Sequence, residues 1–327
     1  PMSIPITVFT AMDVIAAPPV GWCQYDSVQA TQRFHAITPC VGLPSAARFA
    51  SHEAKEGSSE AKPASGQHAG GGMIERLTAT AWVPPWVRHE HAARYAFAAQ
   101  YVRGKQVVDC ACGDGRGAVA LAQAAARSVQ AIDVSSEAAV DTRGRSAEAA
   151  VSYHTASATM LPIVRHTIDV YVSLETIEHV PSERGYLAEV LRVLTPDGLF
   201  ICSTPNRTVT NPGTPMAQHP WNPFHVREYT PDEFISALQG AFHAIELYGQ
   251  SPLSVRSVNR LEWIAKRLGA RAAVRANQLR KLPRLVWSPA VRYAVAPIRP
   301  WQAPEYLIAV CRQPRPSLVE PVQPPSV

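Results

Sequence analysis

The stretch VVDCACGDGRG, residues 107–117, holds the most specific chemistry in the chain: two valines, Asp109, and glycine at Gly113, Gly115 and Gly117. A strand that ends in glycines before a helix turns backbone N–H groups and a positive helix end toward a ligand in the crevice beyond the strands. A dinucleotide fingerprint would read G-x-G-x-x-G, its third glycine allowing helix and strand to pack closely. Here the spacing is G-x-G-x-G. Asp109 would repel a pyrophosphate and attract an ammonium or sulfonium charge. Asp133 follows twenty residues after Gly113, where a carboxylate accepts hydrogen bonds from both hydroxyls of a ribose. That acid alone does not discriminate, since nicotinamide enzymes use one too. Together the residues describe a ligand with a ribose, a positive group and no phosphate.

A second group could act on whatever that ligand meets. ETIEHV presents Glu175, Glu178 and His179 after a strand. An imidazole near neutrality is a natural general base, but His179 reads equally as a ring packed under its loop and bonded to the backbone. Glu175 reads as facing substrate or as a solvated loop carboxylate. His219, His225, Arg227, Glu228 and Tyr229 lie between Pro205 and Pro231, a stretch with six prolines that excludes a long helix. Loops at this position carry substrate contacts; the alternative is a cover for the sheet edge anchored by Trp221 and Phe224. Cys110 and Cys112 have no base or partner cysteine nearby in sequence and read as small buried fillers. No metal is expected: the six cysteines form no CxxC, His89 and His91 point to different faces of a helix, and no HExxH occurs.

These residues need a frame that brings strand ends together. The pattern predicts a helix over 89–101, strands over 106–111, 129–133, 151–156, 168–174 and 198–204, and helices over 117–126, 135–149 and 183–194. A helix over 231–241 and strands over 242–249 and 305–312 complete it. Strands alternating with helices of this length imply a largely parallel sheet covered on both faces.

VVDCACGDGRG, QAIDVS, ATMLP, IDVYVSLETIEHV, LTPDGLFICSTPN and NPFHVREYTPDEF, in that order, resemble a class I S-adenosylmethionine (SAM)-dependent methyltransferase of the group that includes ubiquinone-type, sugar and natural-product methylases. The resemblance covers about residues 75–250 plus the last strand. It implies an α/β, Rossmann-like, doubly wound seven-stranded sheet whose final strand runs antiparallel between its neighbours, and S-adenosyl-L-methionine as cofactor. By that resemblance Asp109 would hold the methionine amino group through the loop. Ala111, Gly113 and Gly115 would let the backbone approach the cofactor, Asp133 would bind the ribose hydroxyls, and Val134 and Met160 would pack on the two adenine faces. Ala111 replaces the family's first glycine, which a negative φ would tolerate. Ser157 replaces an aspartate that often receives the adenine amino group. Methyl transfer to a small-molecule or saccharide oxygen is the activity implied, with His179, Glu175 and His225 as catalytic candidates. The alternatives are a nicotinamide-dependent oxidoreductase, disfavoured by the glycine spacing, and a SAM-binding or partner-binding module without turnover.

Charge and composition divide the rest. Residues 1–72 show no sustained periodicity and end in a Gly/Ser/Ala tract; they read as a disordered extension that need not belong to the functional unit starting at Met73. A helical cap over 73–105, a methyltransferase domain over 106–312 and a proline-rich tail over 313–327 follow. From Gln250 to Pro304 there are eleven Lys or Arg against one acid, Glu262, a local charge of +10 on a chain of net +5. This basic insertion, 250–304, reads as a substrate lid with solvated charges or as a peripheral contact with an anionic membrane. Its few aromatics argue against nucleic acid. No apolar run reaches the ~18 residues of a membrane span, the start lacks the basic region of a secretory signal, and the cysteines suit a reducing compartment; the expected location is the cytoplasm, at most peripheral to the membrane's inner face.

Overall fold

A computed structural model of the chain describes residues 85–135, 150–216, 218–281 and 293–315. The expected extension over 1–72 and nearly all of the helix expected over 135–149 lie outside them. Helix α1 spans Pro85–Ala98, ahead of β1, Gln106–Cys110. Helix α2, Arg116–Gln123, leads to β2, Ser128–Asp133, and β3, Val151–Thr155. Strand β4, Ile168–Leu174, is followed by α3, Glu183–Val193, and β5, Leu194–Pro205. A one-turn helix, α4, Arg207–Thr210, opens the proline-rich loop, which ends at α5, Pro231–Gln239. Strand β6, Phe242–Ser254, runs into α6, Val255–Leu268, and α7, Ala270–Leu279. Strands β7, Ala296–Pro297, and β8, Gln302–Pro314, close the chain.

The strands form one sheet in the order β3-β2-β1-β4-β5-β8-β6-β7. Strands β1 to β5 are mutually parallel, and β8 runs antiparallel to both β5 and β6, the insertion of the last strand that the sequence implies. The count differs: Ala296–Pro297 pairs with Tyr248 and Gly249 and adds an eighth, two-residue strand. It comes from the basic insertion, whose composition gave no strand signal.

Alternation of side chains across the pleat explains both cores. Val107, Val129, Val170, Val172, Ile201 and Val310 face α1 and α2, packing with Phe97, Ala118 and Leu121. Their neighbours Val108, Tyr171, Phe200 and Cys311 face the other layer, meeting Tyr186, Leu187 and Val190 of α3 and Phe234 and Leu238 of α5. Helix α3 starts where the Ser182 side chain accepts from Gly185 N–H. Helix α5 starts at a Thr230–Glu233 capping box with Pro231 in its first turn, the arrangement that satisfies otherwise orphaned N–H groups.

The insertion is a helical hairpin. Val258 and Leu261 of α6 pack with Val209 and Leu253, while Ala276 of α7 and Ala303 close the cluster. Asn277 donates to the Val209 carbonyl at 3.1 Å, and Lys281 and Arg280 pair with Glu305, which is buried on β8. The hairpin therefore rests against α4 and the start of β8, beside the carboxyl ends of the parallel strands. On its outer face Trp263 is exposed among Arg256, Arg260, Lys266 and Arg267, all exposed. No helix among the described residues is long and apolar enough to cross a membrane.

Candidate functional site

The glycine loop leaves β1 and is tied to the end of β2. Cys112 N–H donates to the Ile132 carbonyl at 3.0 Å, and Gly113 N–H donates to Asp133 Oδ2 at 3.0 Å. Ser135 N–H donates to Asp133 Oδ1 at 2.9 Å, so Asp133 braces the loop and its own strand end together. Gly113 and Gly115 take φ of 56° and 72°, conformations that glycine adopts without steric cost. Ala111 also takes a positive φ, 60°, so the negative φ that would tolerate alanine is not the one adopted. This position retains the backbone shape of a glycine and carries a Cβ in it, at a cost of about 1–2 kcal/mol.

Gly117 has a different task. A Cβ there would lie 1.9 Å from the Tyr95 ring, so its bareness admits a side chain of α1 over the start of α2. The Tyr95 hydroxyl then reaches both Asp109 oxygens, at 3.0 and 3.2 Å. Asp109 is fully buried. Burial pushes its carboxyl up from an ordinary 3.8 to about 7, against the lowering effect of the Tyr95 hydrogen bond. The carboxylate thus faces α1, a partner that no local motif indicated. Burial raises the neighbouring thiols as well, Cys110 to about 12, which suits packing roles.

Beyond paired strand ends, Val134 and Met160 are 63% and 76% exposed. The Ser157 hydroxyl accepts from Thr159 N–H at 3.3 Å and lies 2.9 Å from Thr159 Oγ1, so it shapes its own turn.

The end of β4 gathers the second group. Glu175, at φ 56°, is pinned to β5: its N–H donates to Ser203 Oγ at 3.1 Å and that hydroxyl donates to its Oε1 at 2.6 Å. Glu178 is fully buried and accepts from Thr204 Oγ1 at 3.1 Å. Burial, reinforced by Glu175, raises its carboxyl well above the ordinary range. His179 Nδ1 lies 3.1 Å from the Phe224 carbonyl, and its ring stands edge-on to His225 at 4.7 Å between centroids. His225 Nδ1 sits 2.7 Å from Glu228 Oε1, while Asn222 Nδ2 is 2.8 Å from His225 Nε2. Glu228 is held by Thr210 and by Asn211 Nδ2 at 2.6 Å. Donor atoms of Glu178, His179 and His225 lie within 4.8 Å of one another. Spacing rules missed this cluster because His225 arrives from a distant loop.

The other polar side chains of that loop bond within the protein. His219 bonds the Pro220 carbonyl, Arg227 bonds the Pro181 carbonyl, and Tyr229 donates to Glu183 at 2.6 Å. Trp221 and Phe224 are 39% and 46% exposed and do not anchor the loop. Buried Tyr229, His225 and Glu228 do.

Residues 108–202 match a family described as "Methyltransferase domain". A protein of Mycolicibacterium smegmatis named a probable S-adenosylmethionine-dependent methyltransferase is 32% identical over 161 residues, 49% of this chain and 60% of that protein. The chain carries a class I SAM-dependent methyltransferase domain. Its cofactor is S-adenosyl-L-methionine. The methyltransferase domain is also similar to the ubiquinone biosynthesis O-methyltransferase of Haemophilus ducreyi, 33% identical over 113 residues, 32% of this chain and 48% of that protein. A solved SAM-dependent methyltransferase of Mesorhizobium loti covers 68% of this chain and is itself fully covered, at 17% identity and TM-score 0.45. The chain thus spans about half to three fifths of the length of these curated relatives. The residues present fit the cofactor: positive-φ glycines leave the loop backbone open, Asp133 stands at the second strand end, and the apolar side chains of Val134, next in sequence, and Met160, after β3, are exposed. The nicotinamide alternative is set aside.

Proposed function

We propose that this chain methylates an oxygen of a small-molecule or saccharide acceptor. The observation that supports the reading is that the glycine loop with Asp133 and the imidazole–carboxylate cluster after β4 both follow the carboxyl ends of neighbouring parallel strands. When bound, the cofactor would supply a methyl group on a sulfonium, a carbon that an acceptor oxygen could take while sulfur keeps the electron pair of the C–S bond. In-line displacement of this kind depends chiefly on alignment and exclusion of water.

In this reading Asp133 accepts the ribose hydroxyls, Asp109 supplies negative charge beneath the loop, and Ala111, Gly113 and Gly115 let the backbone close on the ligand. Val134 and Met160 flank the adenine, with Ser157 at the turn beside it. His179 takes the acceptor's proton: a carbonyl oxygen can only accept, so Nδ1 facing Phe224 holds the ring hydrogen and Nε2 carries the lone pair. His225 stacks edge-on behind it, and Glu175, fixed on Ser203, orients the acceptor. Oxygen is favoured over nitrogen or carbon because an imidazole at the acceptor side suits a hydroxyl, and because one relative is named an O-methyltransferase.

The test is label transfer from methyl-labelled SAM to a panel of sugars and phenols by the full chain. Label should enter hydroxylated acceptors, and His179→Gln should lose turnover at least tenfold with S-adenosylhomocysteine affinity kept. Label entering amines alone, or full turnover in the variant, would contradict the oxygen chemistry or the base.

A further inference from the structure

Glu178, His179 and His225 come from two segments far apart in sequence, yet one donor atom of each lies within 4.8 Å of the others. Both imidazoles are oriented in the way metal-binding histidines are. His179 turns Nδ1 to the Phe224 carbonyl and His225 turns Nδ1 to the Glu228 carboxylate. Neither oxygen can donate, so each Nδ1 carries the hydrogen and each Nε2 a lone pair, the tautomer that an acceptor behind the ring imposes on a ligating histidine. Glu228 is itself fixed by Asn211 and Thr210, completing a carboxylate–histidine pair.

A separate observation points into the same place. Glu178 is fully buried, and its Oε1 has no hydrogen-bond partner among the described residues; the approach of His179 Nε2, at 3.9 Å, is too long for one. A buried carboxylate oxygen without a donor is costly unless a cation meets it. The lone pair on His225 is met by the Asn222 amide at 2.8 Å, a contact that a stronger ligand would displace.

We infer that Glu178, His179 and His225 bind one divalent metal ion, with Zn²⁺ the best match. Two imidazoles and one carboxylate suit zinc and its neighbours, whereas Mg²⁺ prefers an all-oxygen shell. Bond lengths of about 2.0–2.2 Å draw the donors together, and the adjustment falls on the loop bearing His225. Three protein ligands leave the ion an open position. This deepens the methyl-transfer reading and rests on it for its chemistry: an acceptor hydroxyl on the open position loses its proton to water more readily, and His179 then serves as ligand in place of base.

The full chain, treated with chelator and dialysed, would be titrated calorimetrically with ZnCl₂, MnCl₂ and MgCl₂, alongside S-adenosylhomocysteine. The expected result is one Zn²⁺ per chain and weaker Mg²⁺ binding. His225→Gln and Glu178→Gln should each weaken Zn²⁺ at least tenfold with S-adenosylhomocysteine affinity unchanged. Substituted Co²⁺ should give a visible spectrum of an imidazole-ligated ion in the parent chain and not in His225→Gln. No Zn²⁺ uptake, or equal uptake by parent and His225→Gln, overturns the site; His225→Gln decides if Glu178→Gln fails to fold. Zinc uptake without S-adenosylhomocysteine binding would sustain the site and overturn the methyl-transfer reading instead.

Discussion

Asp109 shows what a motif states and what it leaves out. Its position after the valines was legible because strand, acid and glycines are adjacent in sequence, as was Asp133 at the next strand end. The hydroxyl of Tyr95 on Asp109 was not, since it crosses from α1 through a contact that only tertiary packing creates. Likewise the sign of φ at Ala111 depends on how the loop closes and not on residue type. The buried Asp109 has a testable linkage. With its carboxyl raised to about 7, the folded chain binds more protons than the unfolded one between about pH 4 and 7, so the contribution to stability falls as pH rises through that window. The effect is on the order of a few kcal/mol. Urea unfolding at pH 5 and pH 8 should show a smaller loss for Asp109→Asn than for the parent chain; equal losses would contradict the burial account.

At the level of elements, β1 and β4 were legible because they are short apolar runs buried on both faces, and each strand of the parallel half was found within a few residues, β3 included although none of its residues is buried. Strand lengths near the insertion were not. Strand β6 runs on to Ser254 and β8 begins at Gln302, because long-range pairing between them extends both beyond their apolar centres. The joint between α1 and α2 was invisible too, although its key residue, Gly117, stands in the motif. Replacing Gly117 with Ala places a Cβ against the Tyr95 ring, so one helix must shift. The expected loss is about 1–3 kcal/mol in thermal or urea unfolding, and most of it should disappear in a Tyr95→Ala background. A Gly117→Ala chain as stable as the parent would show that the joint is looser than its geometry.

For the whole molecule, topology explains why motifs scattered in sequence come to the same end of the sheet. Parallel strands place all their carboxyl ends at one edge, and the reversal of strand order beside β1 opens the crevice where ligands of such sheets bind. The antiparallel β8 brings Glu305 and the hairpin of α6 and α7 to that same edge. The hairpin buries its apolar side on α4 and turns Arg256, Arg260, Lys266 and Arg267 to solvent, the arrangement that both the lid and the membrane-surface readings of 250–304 require. Charge counting located this segment; it could not tell that Glu305, an acid on a strand, would hold it. The central claim is that the glycine loop and Asp133 form the cofactor site, and calorimetric titration of the full chain with S-adenosylhomocysteine and NADH tests it most directly. The account predicts binding of S-adenosylhomocysteine alone, weakened in Asp133→Ala by the ~1.5–3 kcal/mol of charged hydrogen bonds, roughly ten- to a hundredfold. Unchanged affinity in Asp133→Ala, or binding of NADH in its place, would contradict it.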